Sequence, residues 1–292
     1  MDGANGKPAW TVAVLGFGEA GADIAAGLAS AGARVRGHDP VAPTPADVES
    51  AASDADACAG ADVVLSLTTA GEAEQALRQS LPALSGAADV VYADANTASA
   101  GLKQKLALIA ADAGVPFADI AIMAPVPGFG YRVRMLVSGT GAQRTSDILT
   151  GYGASVEVLP GPAGLAATRK LLRSVFYKGM ATAVIEALHA ARAAGCEDWL
   201  RDHIAEEFAA ADANTLARME EGGYRHALRR SHEMAAAAEL LRELGVPPRA
   251  TEASRLWLDQ LAEPSASRAM DSAIRRTYHR STRDGFGNSS GK

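Results

Sequence analysis

Val14-Leu15-Gly16-Phe17-Gly18-Glu19-Ala20-Gly21-Ala22-Asp23-Ile24 is the stretch that decides the fold of this chain. Its glycines at 16, 18 and 21 keep the spacing G-x-G-x-x-G, and the surrounding sequence gives that spacing a meaning. The apolar run Thr11–Leu15 precedes the loop, and an alanine-rich helical stretch follows it. In such a strand–loop–helix unit Gly16 permits the tight turn, Gly18 lets the backbone approach a pyrophosphate, and Gly21 lets helix and strand pack closely. Phe17 stands inside the turn, and the amides of Glu19 and Ala20 open the helix, where the backbone dipole favours an anion. Asp39 ends the next strand, eighteen residues after Gly21, where an acidic side chain accepts hydrogen bonds from ribose hydroxyls. The stretch therefore predicts a dinucleotide site. Asp39 would repel a 2′-phosphate and favours NAD, while Arg34, Arg36 and His38 on one side of the same strand leave NADP open.

Outward from the loop, short apolar runs alternate with helical stretches. Thr11–Leu15, Arg34–Gly37, Asp62–Leu67, Val90–Asp94, Phe117–Ile122 and Met135–Ser138 read as strands, several of them apolar on both faces. Ala20–Ala31, Glu72–Leu84, Ala100–Ala113 and Ala142–Gly151 are long enough for crossover helices. This alternation predicts an α/β Rossmann domain with a doubly wound parallel sheet over residues 1–160. After Pro160 strand signals stop. Gly164–Ala194 carries apolar residues on more than one face and reads as one long helix. Further helical stretches follow at Trp199–Ala213, Asn214–Glu221, Tyr224–Leu244, Ala250–Leu261 and Ser267–Tyr278, so residues 161–278 are expected to form an all-α domain for substrate binding and dimerisation. The polar, glycine-rich residues 279–292 are expected to be a disordered tail.

Composition narrows the function classes. A formal net charge of −6 argues against nucleic acid, because phosphate binding needs a basic face. The opening residues lack the pattern of a signal peptide, and no apolar run is long enough for a bilayer span, so a cytoplasmic protein without membrane contact is expected. Cys58 and Cys196 stand in no metal-ligand spacing, and His232-Glu233-Met234 is not part of an H-E-x-x-H pair; no metal site is expected.

Four stretches in order, GFGEAG (16–21), LSLTTAGEAEQAL (65–77), DANTAS (94–99) and GPAGLAATRKLLRS (161–174), resemble the β-hydroxyacid dehydrogenase superfamily, which includes 3-hydroxyisobutyrate and 6-phosphogluconate dehydrogenases. Within it, KLLRSVFYKGM (170–180) resembles a bacterial phosphogluconate dehydrogenase-like branch with an uncharacterised helical C-terminal domain. The resemblance implies an NAD(P)-dependent oxidoreductase of a small, anionic hydroxyacid or related alcohol, working as a homodimer through the helical domain. It makes Lys170 the catalytic lysine, with Ser174 where the family usually has asparagine. It assigns Thr68 and Asn96 to the cofactor and Asn96 also to the substrate. Met123 or Pro127 falls where a substrate-holding serine is expected, and His232 falls in the family's later K-D-L pattern.

The residues themselves carry the chemistry this implies. Oxidising an alcohol takes a hydride away on one side and a proton on the other. A lysine can accept that proton if desolvation and neighbours lower its pKa. Ser174 at i+4 and Tyr177 at i+7 share the helix face of Lys170 and offer hydroxyls beside it. Lys178, about 12 Å further along the axis, is the competing lysine. Arg132 and Arg134, and the cluster His226, Arg229, Arg230 and His232, are either anion contacts or solvated charges. Two other functions share this fold: an imine reductase, which Tyr177 keeps open, and a dinucleotide-binding protein without chemistry.

Overall fold

The alternation of buried strand faces organises the first part of the chain. In this computed structural model, which describes residues 10–87 and 89–263, eight strands form one sheet in the order β3-β2-β1-β4-β5-β6-β7-β8. They are β1 (Thr11–Leu15), β2 (Arg34–His38), β3 (Glu49–Ser50), β4 (Val63–Ser66), β5 (Val91–Asp94), β6 (Phe117–Ile122), β7 (Met135–Ser138) and β8 (Val156–Val158). Val12 and Val14 of β1, Val63 and Leu65 of β4, and Val91 and Ala93 of β5 face one apolar cluster. Ala13, Leu15, Val64 and Tyr92 between them face the other. A strand covered on both sides has no polar face to show, which is why these runs are continuously apolar.

The helices α1 (Glu19–Ser30), α2 (Asp54–Cys58), α3 (Ala73–Leu84), α4 (Ala100–Asp112) and α5 (Ala142–Gly151) belong to this part. The expected strands and crossover helices are present; the two-residue β3, the five-residue α2 and the three-residue β8 are additional, too short for a period to register. One pairing departs from the expected parallel sheet: β7 runs antiparallel to β6. Between them lies only a 3₁₀ turn at Gly130–Arg132, and a strand returning without a crossover must reverse direction.

After β8 the chain enters α6 (Leu165–Ala193), followed by α7 (Glu197–Ala210), α8 (Ala213–Arg225), α9 (Ala227–Glu243) and α10 (Arg249–Ala262). The chain divides into two compact units after Val175, inside α6, whereas residues 160 and 161 bounded the domains in sequence. The difference has a local cause. Ala166 and Ala167, in the first turn of α6, are buried against the sheet, so the helix begins as part of the first unit. In the second unit Glu186 of α6 accepts the backbone N–H groups of Ala250 and Thr251, both at 2.8 Å, and the Thr251 hydroxyl at 2.7 Å. Its carboxylate thus caps α10. Helices α7, α8 and α10 bury none of their own residues. The stretch Ser267–Tyr278 and the tail 279–292 lie outside the described residues.

Candidate functional site

The chain leaves β1 for β2 on one side of the sheet and returns to β4 on the other. The crevice beyond the carboxyl ends of β1 and β4 is therefore the topological switch point, where open α/β sheets bind their ligands. A cleft of about 600 Å³ opens there. It is lined by Gly16 and Gly18 after β1, by His38 and Asp39 from β2 and its end, by Leu67, Thr68 and Thr69 after β4, and by Gln75 and Gln79 of α3.

Close approaches of backbone build the loop. Gly16 has φ of +94°, and a Cβ there would lie 2.6 Å from the Leu67 carbonyl oxygen. Only glycine meets both conditions. A Cβ on Gly21 would lie 2.0 Å from the Gly16 carbonyl oxygen, so this position sets how closely α1 packs on the turn. At Gly18, by contrast, a Cβ would meet nothing within 4 Å. That open space borders the start of α1, which has no side-chain cap. Uncapped first-turn amides facing space are what a pyrophosphate requires. The residues present therefore fit a dinucleotide.

Asp39 does more than the sequence suggests. Its Oδ2 accepts the Phe17 N–H at 2.7 Å, and its Oδ1 accepts the N–H groups of Val41 at 2.8 Å and Ala42 at 2.7 Å. One carboxylate thus fixes the glycine loop and the turn after β2 together, leaving about one of its four lone-pair sites for a ribose hydroxyl. Burial raises its pKa, but the three N–H groups and nearby His38 outweigh that and hold the carboxyl below its ordinary value. Gly37, which sequence reasoning passed over, lets this happen: a Cβ there would lie 2.4 Å from the Phe17 ring. Its signal was a glycine inside a strand, which marks close approach of another group. Glu19 is exposed and Ala20 half-buried at the start of α1.

Behind the cleft lies a buried polar chain that the sequence did not announce. Asn96 donates to Thr68 Oγ1 at 3.2 Å and to Asp94 Oδ2 at 2.7 Å. The other Asp94 oxygen pairs with Lys103 Nζ, and Lys103 Nζ lies 3.3 Å from Asp119 Oδ1. Asp94, Lys103 and Asp119 are all fully buried. Asp119 Oδ2 then accepts the N–H groups of Gly164 at 2.9 Å and Ala167 at 3.0 Å, while Ser138 Oγ accepts that of Ala166 at 3.2 Å. A strand carboxylate thereby caps the start of α6. Gly164, with φ of +101°, brings that start against Ala100, where a Cβ would lie 3.1 Å from the backbone oxygen. The Asn96 Oδ1 is buried and has no hydrogen-bond partner among the described residues.

Lys170 and Ser174 are half-buried and lie about one and two turns after the buried Ala166 on the same side of α6. Tyr177 and Lys178 are exposed residues of the second unit, as is His232 on α9. Met123 is half-buried at the end of β6 and packs against the small cluster that contains Leu136 and Ala166; Pro127 is exposed in the loop beyond it. Of these residues, none lines the cleft that holds Gly16, Gly18, Asp39 and Thr68. Arg134 pairs with Glu157 at 2.8 Å, Arg132 lies over the Tyr131 ring, and Arg229 pairs with Glu233, so these charges have ordinary surface partners. Cys58 is buried beside Asp54, and burial pushes its thiol up to about 12, far from a thiolate at neutral pH. Among the described residues there is no group of three or more His, Cys, Asp or Glu that could hold a metal ion, and no helix long and apolar enough to cross a membrane.

Residues 191–261 match a family described as a domain of unknown function, DUF1932. No curated protein matches the chain. Among solved structures, a conserved hypothetical protein from Sinorhizobium meliloti 1021 is similar at 30% identity, over 86% of this chain and 88% of that one, with a TM-score of 0.57. MTH1747, a conserved protein of unknown function whose structure is described as similar to 3-hydroxyacid dehydrogenases, is similar at 27% identity, over 86% of this chain and 96% of that one, with a TM-score of 0.56. A Streptomyces aurantiacus imine reductase shares the fold at 19% identity, over 88% of this chain and 97% of that one, with a TM-score of 0.71. The glycine cradle at the switch point, the strand order and these relatives lead to one assignment: the chain belongs to the β-hydroxyacid dehydrogenase superfamily.

Proposed function

We propose that the protein is an NAD(P)-dependent oxidoreductase, NAD being preferred, acting on a small anionic hydroxyacid or related alcohol. The observation that carries this reading is the cradle at the switch point, with Gly18 beside open space, an uncapped α1 and Asp39 at the ribose position. A bound nicotinamide supplies the hydride acceptor or donor. The chain's own residues do the rest. The α1 amides hold the pyrophosphate, and Asp39 takes a ribose hydroxyl. The Asn96 Oδ1 accepts a hydrogen bond from a donor on the bound molecules, and Lys170 receives the alcohol proton in one direction and returns it in the other.

Replacing Gly18 by leucine should abolish NADH binding, because the side chain would occupy the pyrophosphate space, while its Cβ would meet no protein atom within 4 Å. Fluorescence titration of a folded Gly18→Leu variant with undiminished affinity would refute the placement. The chemistry is tested by following NAD and NADP reduction with hydroxyacids, amino alcohols and sugar acids, and NADH and NADPH oxidation with cyclic imines. Turnover with imines alone would replace the dehydrogenase reading by the imine-reductase one, for which Tyr177 is the donor at hand. Binding of NADH without turnover of any of these classes would favour a non-catalytic dinucleotide-binding protein.

Assembly follows from the second unit. Phe176, Ile185, Trp199, Phe208, Leu216, Met219, Leu256 and Trp257 are each more than half exposed on its helices. So much exposed apolar surface, most of it on α7, α8 and α10, which bury none of their own residues, is unusual for a monomer, and a second copy of the helical unit would cover it. Interfaces of that kind commonly bury more than about 2,000 Å². Light scattering at micromolar concentration should return twice the 30.0 kDa chain mass; a stable monomer would sink the proposal.

A further inference from the structure

The dinucleotide reading leaves one part of the cleft unexplained. Beside Asp39, its wall includes His38 and Asp54, the first residue of α2. Asp54 is 9% exposed, and its Oδ1 lies 2.7 Å from His38 Nδ1. His38 is the last residue of β2, directly before Asp39. The other cations of that strand are committed elsewhere. Arg36 is bound by Glu49 at 3.0 Å, Asp56 at 3.3 Å and the Ala59 carbonyl at 3.2 Å, and Arg34 shares Glu49 at 3.5 Å. Along a strand these two side chains stand roughly 7 and 13 Å before His38. Among the described residues, His38 is therefore the one basic side chain lining the ribose end of the cleft, and a carboxylate has hold of it.

A dinucleotide carrying a 2′-phosphate needs a cation where Asp39 stands, or next to it. We propose that Asp54 is a second determinant of dinucleotide choice: by holding His38 beside Asp39 it withholds the nearest imidazole from a 2′-phosphate and adds a second carboxylate to that wall. This inference rests on the dinucleotide reading of the cleft and deepens it. Selectivity for NAD(H) is shared between Asp39 and the His38–Asp54 pair, and the pair is the part that can be turned. Without the Asp54 charge, His38 becomes free to donate a charge-assisted hydrogen bond to phosphate.

The test is equilibrium titration of the full chain with NADH and NADPH. Wild type should bind NADH more tightly. Asp54→Asn keeps the shape and removes the charge, and should shift the affinity ratio toward NADPH by about tenfold, the scale of one charge-assisted contact. Adding His38→Gln to that variant should remove the gain. His38→Gln alone leaves Asp54 facing the cleft and should move the ratio further toward NADH, which keeps the inference testable if Asp54→Asn does not fold. An unchanged ratio in Asp54→Asn, a gain that persists in the double variant, or a shift toward NADPH in His38→Gln would each overturn it. If wild type binds neither dinucleotide, the functional reading falls and this inference with it. If wild type binds NADH and the variants leave the ratio alone, only this inference falls.

Discussion

Lys170→Met is expected to lower kcat by about 10²- to 10⁴-fold on the substrate that the turnover panel identifies, while NADH binding survives. That is the range a positioned general acid/base contributes, roughly 3–5 kcal/mol of barrier. Methionine keeps the length and most of the bulk of lysine but cannot carry the proton. The expectation draws on where α6 begins. Asp119 and Ser138 fix its first amides, Gly164 sets it against Ala100 at the start of α4, and Lys170 follows Ala166 by one turn on the same face.

The comparison among neighbouring variants carries the weight. Lys178→Met should do much less, since Lys178 is exposed and belongs to the second unit. Ser174→Ala should be intermediate if its hydroxyl orients the lysine. A loss confined to KM, with kcat intact, would mean that Lys170 binds substrate without moving its proton. Near-wild-type turnover in Lys170→Met together with a dead Tyr177→Phe would transfer the role to the tyrosine and favour the imine-reductase chemistry.

How far the sequence could be read differs between the cradle and what lies behind it. The glycine loop was legible because Gly16 and Gly21 answer backbone requirements that no other residue meets, and such requirements leave a fixed spacing. Asp39 was legible in position but not in its second duty of holding the Phe17, Val41 and Ala42 amides, because those bonds depend on the turn after β2. The His38–Asp54 pair was not legible. It joins a strand end to a five-residue helix, and a helix that short leaves no period. The antiparallel turn into β7 was hidden for a similar reason, since a connection lacking a helix still leaves the strand pattern unchanged. Lys103 was harder still. It lies on the buried face of α4 with Leu106 and Ala110, where its pattern suggests only an interrupted apolar stripe. Its meaning comes from Asp94 and Asp119 on two different strands.

Lys103 supplies the last expected result: Lys103→Met should destabilise the folded chain by about 3–5 kcal/mol, the usual consequence of removing one partner from a buried ion pair. The ammonium is fully buried, donates to the Asp94 carbonyl at 2.8 Å, and joins the carboxylates of Asp94 and Asp119. Methionine would leave those two carboxylates in the interior without the charge between them. Asp119 retains the Gly164 and Ala167 amides, and Asp94 retains Asn96, but neutral donors offset less of a buried charge than an ammonium does. Urea denaturation at fixed protein concentration should show a lower midpoint with an unchanged slope. Adding Asp94→Asn should cost less in the Lys103→Met background than in wild type, since part of the same interaction is already gone. A Lys103→Met chain within about 1 kcal/mol of wild type would mean that the cluster contributes little net stability, as buried pairs sometimes do. Because the cluster joins Asn96 to the first turn of α6, a destabilised variant should also lose hydrogen-exchange protection at Gly164, Ala166 and Ala167 before the rest of the sheet. Protection lost uniformly across the sheet would show that Lys103 supports the fold as a whole and not the seam beneath Lys170.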